Sequence, residues 1–195
     1  MAVEEIKISG KDAAGYLDSV AHLRIRVFRD FPYLYDGNLA HEEDYLGRYL
    51  QAKDFVLILA KDAGQVVGAS TCLPLSQETD EIRLPLTEAG YDDHEVLYLG
   101  ESVLDKPYRE QGIGKAFFRL REEHGRQLKK KYASFCAVDR PEDHPLRPAD
   151  YRSLNEFWKK YGYSPLPDVQ VSLTWKDIDQ QQDTEKKLTF WIKKL

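Results

Sequence analysis

An apolar strand, a short glycine loop and a long helix follow one another between residues 96 and 124, and no other segment constrains the fold as strongly. Residues 96–104 read VLYLGESVL, which is the pattern of a buried strand. The helix begins near Gly112 and Gly114 and contains no further Gly or Pro before Gly125. Glycines let a ligand approach the backbone, and the free N–H groups of a first helical turn attract anions. This order of elements therefore predicts a phosphate site.

Two common phosphate-binding motifs do not fit the residues of this loop. A Walker loop needs a glycine five residues before the Gly114–Lys115 pair, where this chain has Arg109. A dinucleotide fingerprint needs Gly or Ala at the position of Phe117. An ordinary loop with two turn glycines stays open as an alternative, but the flanking strand and helix favour a pyrophosphate site.

Composition narrows the class of protein. A chain of 195 residues, with 31% charged side chains and no apolar run of membrane-spanning length, indicates a soluble domain with a sizeable core and no membrane association. The net charge of −5 and the absence of a basic stripe argue against nucleic-acid binding. The acidic start MAVEEI is unlike a secretory signal. Cys72 and Cys136 lie in apolar runs, which favours buried free thiols and a cytoplasmic location.

Periodicity along the rest of the chain predicts an α+β fold with a mostly antiparallel sheet, in the order βααββ, an insertion, then βαβαββ. We expect a single domain, 1–195, in which residues 76–93 form a surface insertion and residues 183–195 a C-terminal strand and tail with solvated lysines. Helices are predicted at 12–29, 41–51, 112–124 and 151–161, with a short one near 81–84, and strands at 3–8, 55–60, 66–73, 96–104, 132–138, 168–175 and 188–192.

The spacing Arg109-x-x-Gly112-x-Gly114 resembles the acetyl-coenzyme A signature, Gln/Arg-x-x-Gly-x-Gly/Ala, of the GNAT superfamily of acetyltransferases. Residues 155–163, NEFWKKYGY, are similar to the family's late helix and closing turn, and the resemblance spans nearly the full chain. It implies a sheet splayed at its central strands to hold acetyl-CoA. It also implies an N-acetyltransferase that moves an acetyl group directly to a primary amine of a small molecule or peptide.

The resemblance also implies the residues that hold acetyl-CoA, in a wedge between strand 96–104 and strand 133–138. Backbone N–H groups along the glycine loop would hold the pyrophosphate, and open backbone at the end of strand 96–104 would pair with the pantetheine arm. A bulge in that strand would aim an N–H group at the thioester oxygen. Arg109 either contacts phosphate or caps the loop. The implied cofactor-binding residues are Val103, Leu104, Arg109, Gln111, Gly112, Ile113, Gly114, Lys115, Asn155 and Trp158.

Acyl transfer to an amine requires that a base take a proton from the ammonium form. Glu101 is the candidate, as the only carboxylate within the apolar strand; alternatively, it pairs with an arginine or backbone group at a strand kink. Many family members have a general-acid tyrosine where this chain has Trp158, and an indole cannot donate a usable proton to sulfur. Tyr151 and Tyr161 are the substitutes, unless the thiolate leaves unaided.

The acceptor site and the partners are less constrained by sequence. Phe31, Tyr33 and Tyr35 lie in an aromatic loop and either line a substrate pocket or plug the core. No metal is expected, because the histidines and cysteines lack ligand spacing. The apolar C-terminal tail is compatible with a homodimer. Two other functions stay open: a CoA-binding regulatory domain without transfer activity, and an interaction module that docks through the aromatic loop.

Overall fold

A seven-stranded sheet forms the centre of the molecule in this computed structural model, which describes residues 3–195. Met1 and Ala2, which begin the predicted domain and its acidic start, lie outside the described residues. The strands are β1 (Glu4–Ser9), β2 (Val56–Asp62), β3 (Gln65–Pro74), β4 (Val96–Leu104), β5 (Tyr132–Val138), β6 (Ser164–Lys176) and β7 (Asp183–Lys194). The helices are α1 (Leu17–Phe28), α2 (Leu39–Tyr49), α3 (Asp80–Glu88), α4 (Ile113–Gln127) and α5 (Asn155–Lys160).

The strand order is β1-β2-β3-β4-β5-β7-β6, and the neighbours are antiparallel except for β4 and β5, which are parallel. The predicted α+β fold with a mostly antiparallel sheet is confirmed. The predicted bounds of β4 and β5 match the observed bounds, because both strands are apolar runs ended by turn or loop residues.

Two apolar cores lie on opposite faces of the sheet. One core joins α1 and α2 to the sheet through residues such as Val20, Leu23 and Leu46. The other core places Phe117 and Phe118 of α4 against the opposite face. Because residues 113, 116, 117 and 120 recur at helical spacing, α4 presents one apolar stripe to the sheet, and the charged Arg121 and Glu122 of the same helix are also buried.

Two helices, α1 and α5, begin well after their predicted starts. The predicted helix 12–29 begins as a 3-10 segment, Gly10–Tyr16, and becomes α-helical only at Leu17. Gly15 lies in that segment and has low helix propensity. The predicted helix 151–161 is shorter, with α5 covering only Asn155–Lys160, and just before it the hydroxyl of Ser153 accepts the N–H of Asn155 at 3.1 Å.

The C-terminal segment is an inner strand of the sheet and not a solvated tail. All of β7 lies inside the sheet, between β5 and β6. Its lysines are not simply solvated, which corrects the prediction. Lys186 is 6% exposed and lies 3.0 Å from Asp177, and Lys193 lies 2.8 Å from Glu122. A strand that pairs on both edges needs apolar side chains on its faces, and Phe190 and Trp191 supply them.

Candidate active site

Strands β4 and β5 pair over a short stretch and then separate. Their register runs only from Val96 opposite Tyr132 to Tyr98 opposite Ser134. Beyond these residues each strand keeps its outer partner, β3 or β7, so the sheet continues on both sides of a V-shaped opening. The predicted splay at the central strands is present. The opening leaves backbone groups of β4 available to a ligand along Leu99–Leu104.

A bulge bends β4 at the edge of this opening. Ser70 pairs with Ser102 and Cys72 with Leu99, so Thr71 of β3 faces two residues of β4, Gly100 and Glu101. A Cβ atom at position 100 would lie far inside van der Waals contact of the Thr71 hydroxyl, which explains why glycine is required here. Sequence resemblance predicted a bulge in this strand, and the observed register has one.

The loop after β4 lies at the open end of the V and exposes backbone donors. Gly112 has φ of +88°, a left-handed conformation that favours glycine, and it directly precedes α4. Within residues 3–195, the N–H groups of residues 110–115 have no protein acceptor. The first intrahelical bond of this region is from Ala116 to the carbonyl of Gly112. A row of unpaired N–H groups at a helix start can hold a pyrophosphate.

Side chains of the same loop are bonded to its backbone. Arg109 donates from Nε to the carbonyl of Leu104 at 3.1 Å, and Gln111 donates from Nε2 to Pro107 at 2.8 Å. Arg109 thus has the geometry of a loop cap, one of its two expected roles. A depression of about 250 Å³ lies beside it, lined by Arg26, Val27, Asp30, Asp105, Lys106, Pro107 and Arg109.

Glu101 is buried beside an arginine. Its Oε1 atom lies 2.7 Å from Nη1 of Arg24, close enough for an ion pair but without hydrogen-bond geometry, and its other oxygen accepts the hydroxyl of Thr71. Arg24 also donates to Glu42, which is 1% exposed. Burial by itself lowers the pKa of Arg24, but the carboxylates of Glu101 and Glu42 outweigh burial and hold that pKa above its ordinary value. This arrangement corresponds to the alternative in which Glu101 pairs with an arginine at a strand kink.

A second carboxylate, which sequence analysis did not single out, lies near the bulge. Glu78 follows β3 and accepts the hydroxyl of Tyr49 at 2.9 Å and the N–H of Thr79 at 3.1 Å. Burial raises the pKa of Glu78 to about 7. Glu78 belongs to a polar segment that reads as a surface insertion, and no local pattern distinguishes it from the other acids of that segment.

The two tyrosines proposed as acids lie on different faces of the sheet. Tyr151 is half-buried near the aromatic loop, with its ring 4.6 Å from the ring of Phe31, and burial raises its pKa. Tyr161 stacks on Phe118 at 5.9 Å, in the core that α4 forms. Tyr33 of the aromatic loop is close to both Glu101 and Tyr151, so Tyr151 lies on the same side of the sheet as Glu101. Tyr161 belongs to the core on the other side.

The remaining residues of the late helix have packing partners. Trp158 packs edge-on against Phe135 and Trp191 at 5.0 Å to each ring. Asn155 is exposed and is the first residue of α5.

The aromatic loop is fixed against the face that carries Glu101. The ring of Tyr33 lies 4.4 Å from that of Phe28, and burial raises the pKa of Tyr33. Burial also raises the pKa of Tyr35. Arg140 donates to the carbonyls of Pro32 and Tyr33 at 2.8 Å each, and it is ion-paired with the buried Asp177. The loop therefore forms a fixed wall beside the arginine–glutamate pairs.

Comparison with known proteins identifies the family. The model of the Acetyltransferase (GNAT) family matches residues 19–149, more than half of the chain. The chain therefore belongs to the GNAT acetyltransferases, which confirms the resemblance noted in its sequence. A search of curated proteins found no significant match.

Solved structures share the fold at low sequence identity. A GNAT-family acetyltransferase from Staphylococcus aureus Mu50 is 14% identical with a TM-score of 0.61, covering 100% of this chain and 99% of that one. An aminoglycoside 6'-N-acetyltransferase complexed with coenzyme A is 14% identical with a TM-score of 0.61, covering 100% and 97%. A ribosomal-protein-alanine N-acetyltransferase from Brucella melitensis is 15% identical with a TM-score of 0.61, covering 97% and 99%.

No helix within residues 3–195 has the length and apolarity needed to cross a membrane. No group of three or more His, Cys, Asp or Glu side chains in that range is placed to hold a metal ion.

Proposed function

We propose that this protein is an N-acetyltransferase that moves an acetyl group from acetyl-CoA directly to a primary amine of a small molecule or peptide. The observation that carries the proposal is the row of unpaired N–H groups at residues 110–115, placed at the open end of the V between β4 and β5. Family membership supplies the reaction class, acyl transfer. The structural neighbours named for aminoglycoside and ribosomal-protein N-acetylation support an amine acceptor.

Three parts of the chain, the glycine loop, the end of β4 and α5, offer groups that fit acetyl-CoA. The N–H groups of Gln111, Gly112, Ile113, Gly114 and Lys115 would hold the pyrophosphate, since these donors have no other partner within residues 3–195. Val103 and Leu104 offer β4 backbone on the unpaired side of the strand. Asn155 and Trp158 of α5 are proposed as further contacts on the side of the sheet that α4 covers. When bound, acetyl-CoA supplies an activated thioester, and a thiolate with a pKa of about 8.5 is a tolerable leaving group.

The face that carries Glu101 is proposed as the acceptor side. Phe31, Tyr33 and Tyr35 form its outer wall, and aromatic rings suit the apolar part of an amine. The fixed position of this wall supports a preformed acceptor pocket, because Arg140 holds the loop backbone at Pro32 and Tyr33.

A thermal-shift experiment with acetyl-CoA tests the cofactor part of the proposal. Saturating acetyl-CoA is expected to stabilise the wild type, by about 2.7 kcal/mol at a hundred times Kd. Gly112→Glu places a negative side chain among the free N–H groups and is expected to abolish the shift. Gly64→Glu is the matched control, because Gly64 also has positive φ and open space around its Cα. No shift in the wild type would leave only an interaction module.

A thiol-release assay tests the transfer itself. Acetyl-CoA is incubated with a panel of primary amines, and free CoA thiol is measured against a blank without amine. Release above the blank supports transfer. Acetyl-CoA binding without release from any amine supports the regulatory, non-catalytic alternative.

A further inference from the structure

Three carboxylates, those of Glu42, Glu78 and Glu101, lie on the α1 and α2 side of the sheet near the V. They differ in whether a basic side chain contacts them. Arg24 contacts both Glu42 and Glu101. Glu78 has no Lys, Arg or His within ion-pair distance anywhere in residues 3–195. Its bonds are from neutral groups, the hydroxyl of Tyr49 and the N–H of Thr79. A carboxylate without a cation is available to an incoming ammonium group, whereas the other two share the guanidinium of Arg24.

A tyrosine connects Glu78 to the bulge of β4. The hydroxyl of Tyr49 donates to Glu78 Oε1 at 2.9 Å, and it lies 3.7 Å from the point where a Cβ on Gly100 would be. The hydroxyl of Tyr45 lies 2.6 Å from that of Tyr49, so Tyr45 supplies the donor that leaves Tyr49 free to donate to Glu78. One hydroxyl therefore separates the carboxylate from the strand segment at the edge of the V.

The groups that face Glu78 are uncharged apart from Glu101 and Arg48. Glu101 disfavours a second negative charge nearby, and Arg48 acts weakly in the opposite sense. Burial is the larger influence and favours the neutral carboxyl. The titratable groups facing Glu78 are Tyr45, Arg48 and Tyr49 from α2, Tyr98 and Glu101 from β4, and Cys136 from β5.

We propose that Glu78 is the catalytic base of this enzyme and takes the proton of the acceptor ammonium group, with Tyr49 as the residue that positions it. The proposal rests on the proposed acetyl transfer. The ammonium group transfers one proton to Glu78, and the freed nitrogen pair forms the C–N bond as the C–S bond breaks. A second proton passes from nitrogen to sulfur, giving an amide and CoA thiol. Glu78 then returns its proton to water across its partly exposed edge.

A base poised near neutral pH suits this step. General bases work best when their pKa lies near the working pH, and burial raises the pKa of Glu78 to about 7. Glu101, in contrast, is held in an ion pair with Arg24. Sequence analysis favoured Glu101 because it is the only acid within the apolar strand, whereas the partners of Glu78 come from α2.

The pH dependence of kcat/KM tests the assignment. The assay uses acetyl-CoA with phenethylamine, tryptamine and lysine methyl ester, on wild type, Glu78→Gln and Glu43→Gln. Glu43 is an exposed residue of α2 and serves as the matched control. At pH 7 the Glu78→Gln variant is expected to lose about 100-fold in kcat/KM and the inflection near pH 7. Equal rates and profiles in the two variants overturn the proposal.

A second measurement decides the question even if none of these amines is acetylated. The protein is labelled with carbon-13 at glutamate side-chain carboxyls, and NMR follows their titration. One signal is expected to titrate near pH 7 in the wild type and to be missing in Glu78→Gln. If every glutamate signal titrates near the ordinary value of about 4.3, the proposal is wrong. Failure of the proposed function is distinct, because it appears in the wild type itself, either as no thermal shift with acetyl-CoA or as no thiol release from any amine.

Discussion

The guanidinium of Arg24 in α1 lies 2.7 Å from the carboxylate of Glu101 at the bulge of β4. The same guanidinium donates to Glu42 in α2. It also lies over the ring of Tyr45, with its Cζ atom 4.6 Å from the ring centre. One arginine thus joins α1 and α2 to the strand that borders the V. A buried ion pair at this point fixes the bulge and leaves proton transfer to another group.

Arg24→Met is expected to destabilise the fold strongly. Removing one partner of a buried ion pair leaves an uncompensated charge and costs about 3–5 kcal/mol. Urea denaturation measures the loss, and Arg29→Met is the control because Arg29 pairs with Asp36 at an exposed site. The exposed pair is expected to contribute at most about 1 kcal/mol. Equal losses in the two variants would contradict a structural role for the buried pair.

Glu101→Gln separates the two carboxylates in function. Arg24 keeps Glu42 as its ion-pair partner in this variant, so the expected loss of unfolding free energy is only about 1.5–3 kcal/mol. It should nevertheless keep the inflection of kcat/KM that we assign to Glu78, moved to lower pH because the charge of Glu101 no longer raises the pKa of Glu78. Loss of that inflection in Glu101→Gln, with Glu78 intact, would return the base assignment to Glu101.

Stability should fall with rising pH because of Glu78. Its folded-state pKa is raised from the ordinary value of 4.5 to about 7, so the native state binds its proton more tightly than the unfolded chain. This contribution to stability is complete below pH 4.5 and is lost progressively as the pH rises to about 7. The total is at most about 3 kcal/mol. Relative to Glu43→Gln, Glu78→Gln should lack this loss in urea denaturation at pH 5 and 8; parallel pH curves would exclude the raised pKa.

Gly100→Ala should disturb the bulge through Thr71. The added methyl group overlaps the Thr71 hydroxyl, and overpacking of this kind costs about 1–3 kcal/mol. Gly15→Ala is the control, since a Cβ there meets nothing within 4 Å. The double variant with Thr71→Ala should recover part of the loss, because it removes the overlapping atom. A cost for Gly100→Ala that Thr71→Ala leaves unchanged would indicate a different cause.

Arg140→Met should loosen the wall of the acceptor side. Without its bonds to the carbonyls of Pro32 and Tyr33, the loop loses the side-chain link to Asp177 and keeps only the backbone bridge between Tyr35 and Asp177. We expect about a tenfold rise in KM for the amine with little change in kcat, since binding contacts common to ground and transition states act on KM. Arg152→Met at an exposed position is the control. A fall in kcat with KM unchanged would contradict this role.

Local pattern was sufficient for much of the fold. The apolar runs of β4 and β5 specify their own bounds, and the glycine loop with the helix after it was recognisable because the relevant residues are adjacent in sequence. Pairings across the sheet were not accessible. Arg24 and Glu101 are far apart in the chain, and the raised pKa of Glu78 depends on burial that its polar segment does not indicate. The position of β7 depends on which strands it pairs with, and the composition of a strand does not specify its partners.

The brevity of the β4–β5 pairing divides the sheet into two leaves, β1 to β4 and β5 to β7, that share a seam along Val96–Tyr98. A ligand that extends along the opening would form hydrogen bonds to the strand beside it and so extend the connection between the two leaves. The loaded molecule should then be stiffer than the free one, with amide exchange slowed most at the inner edges of the two leaves.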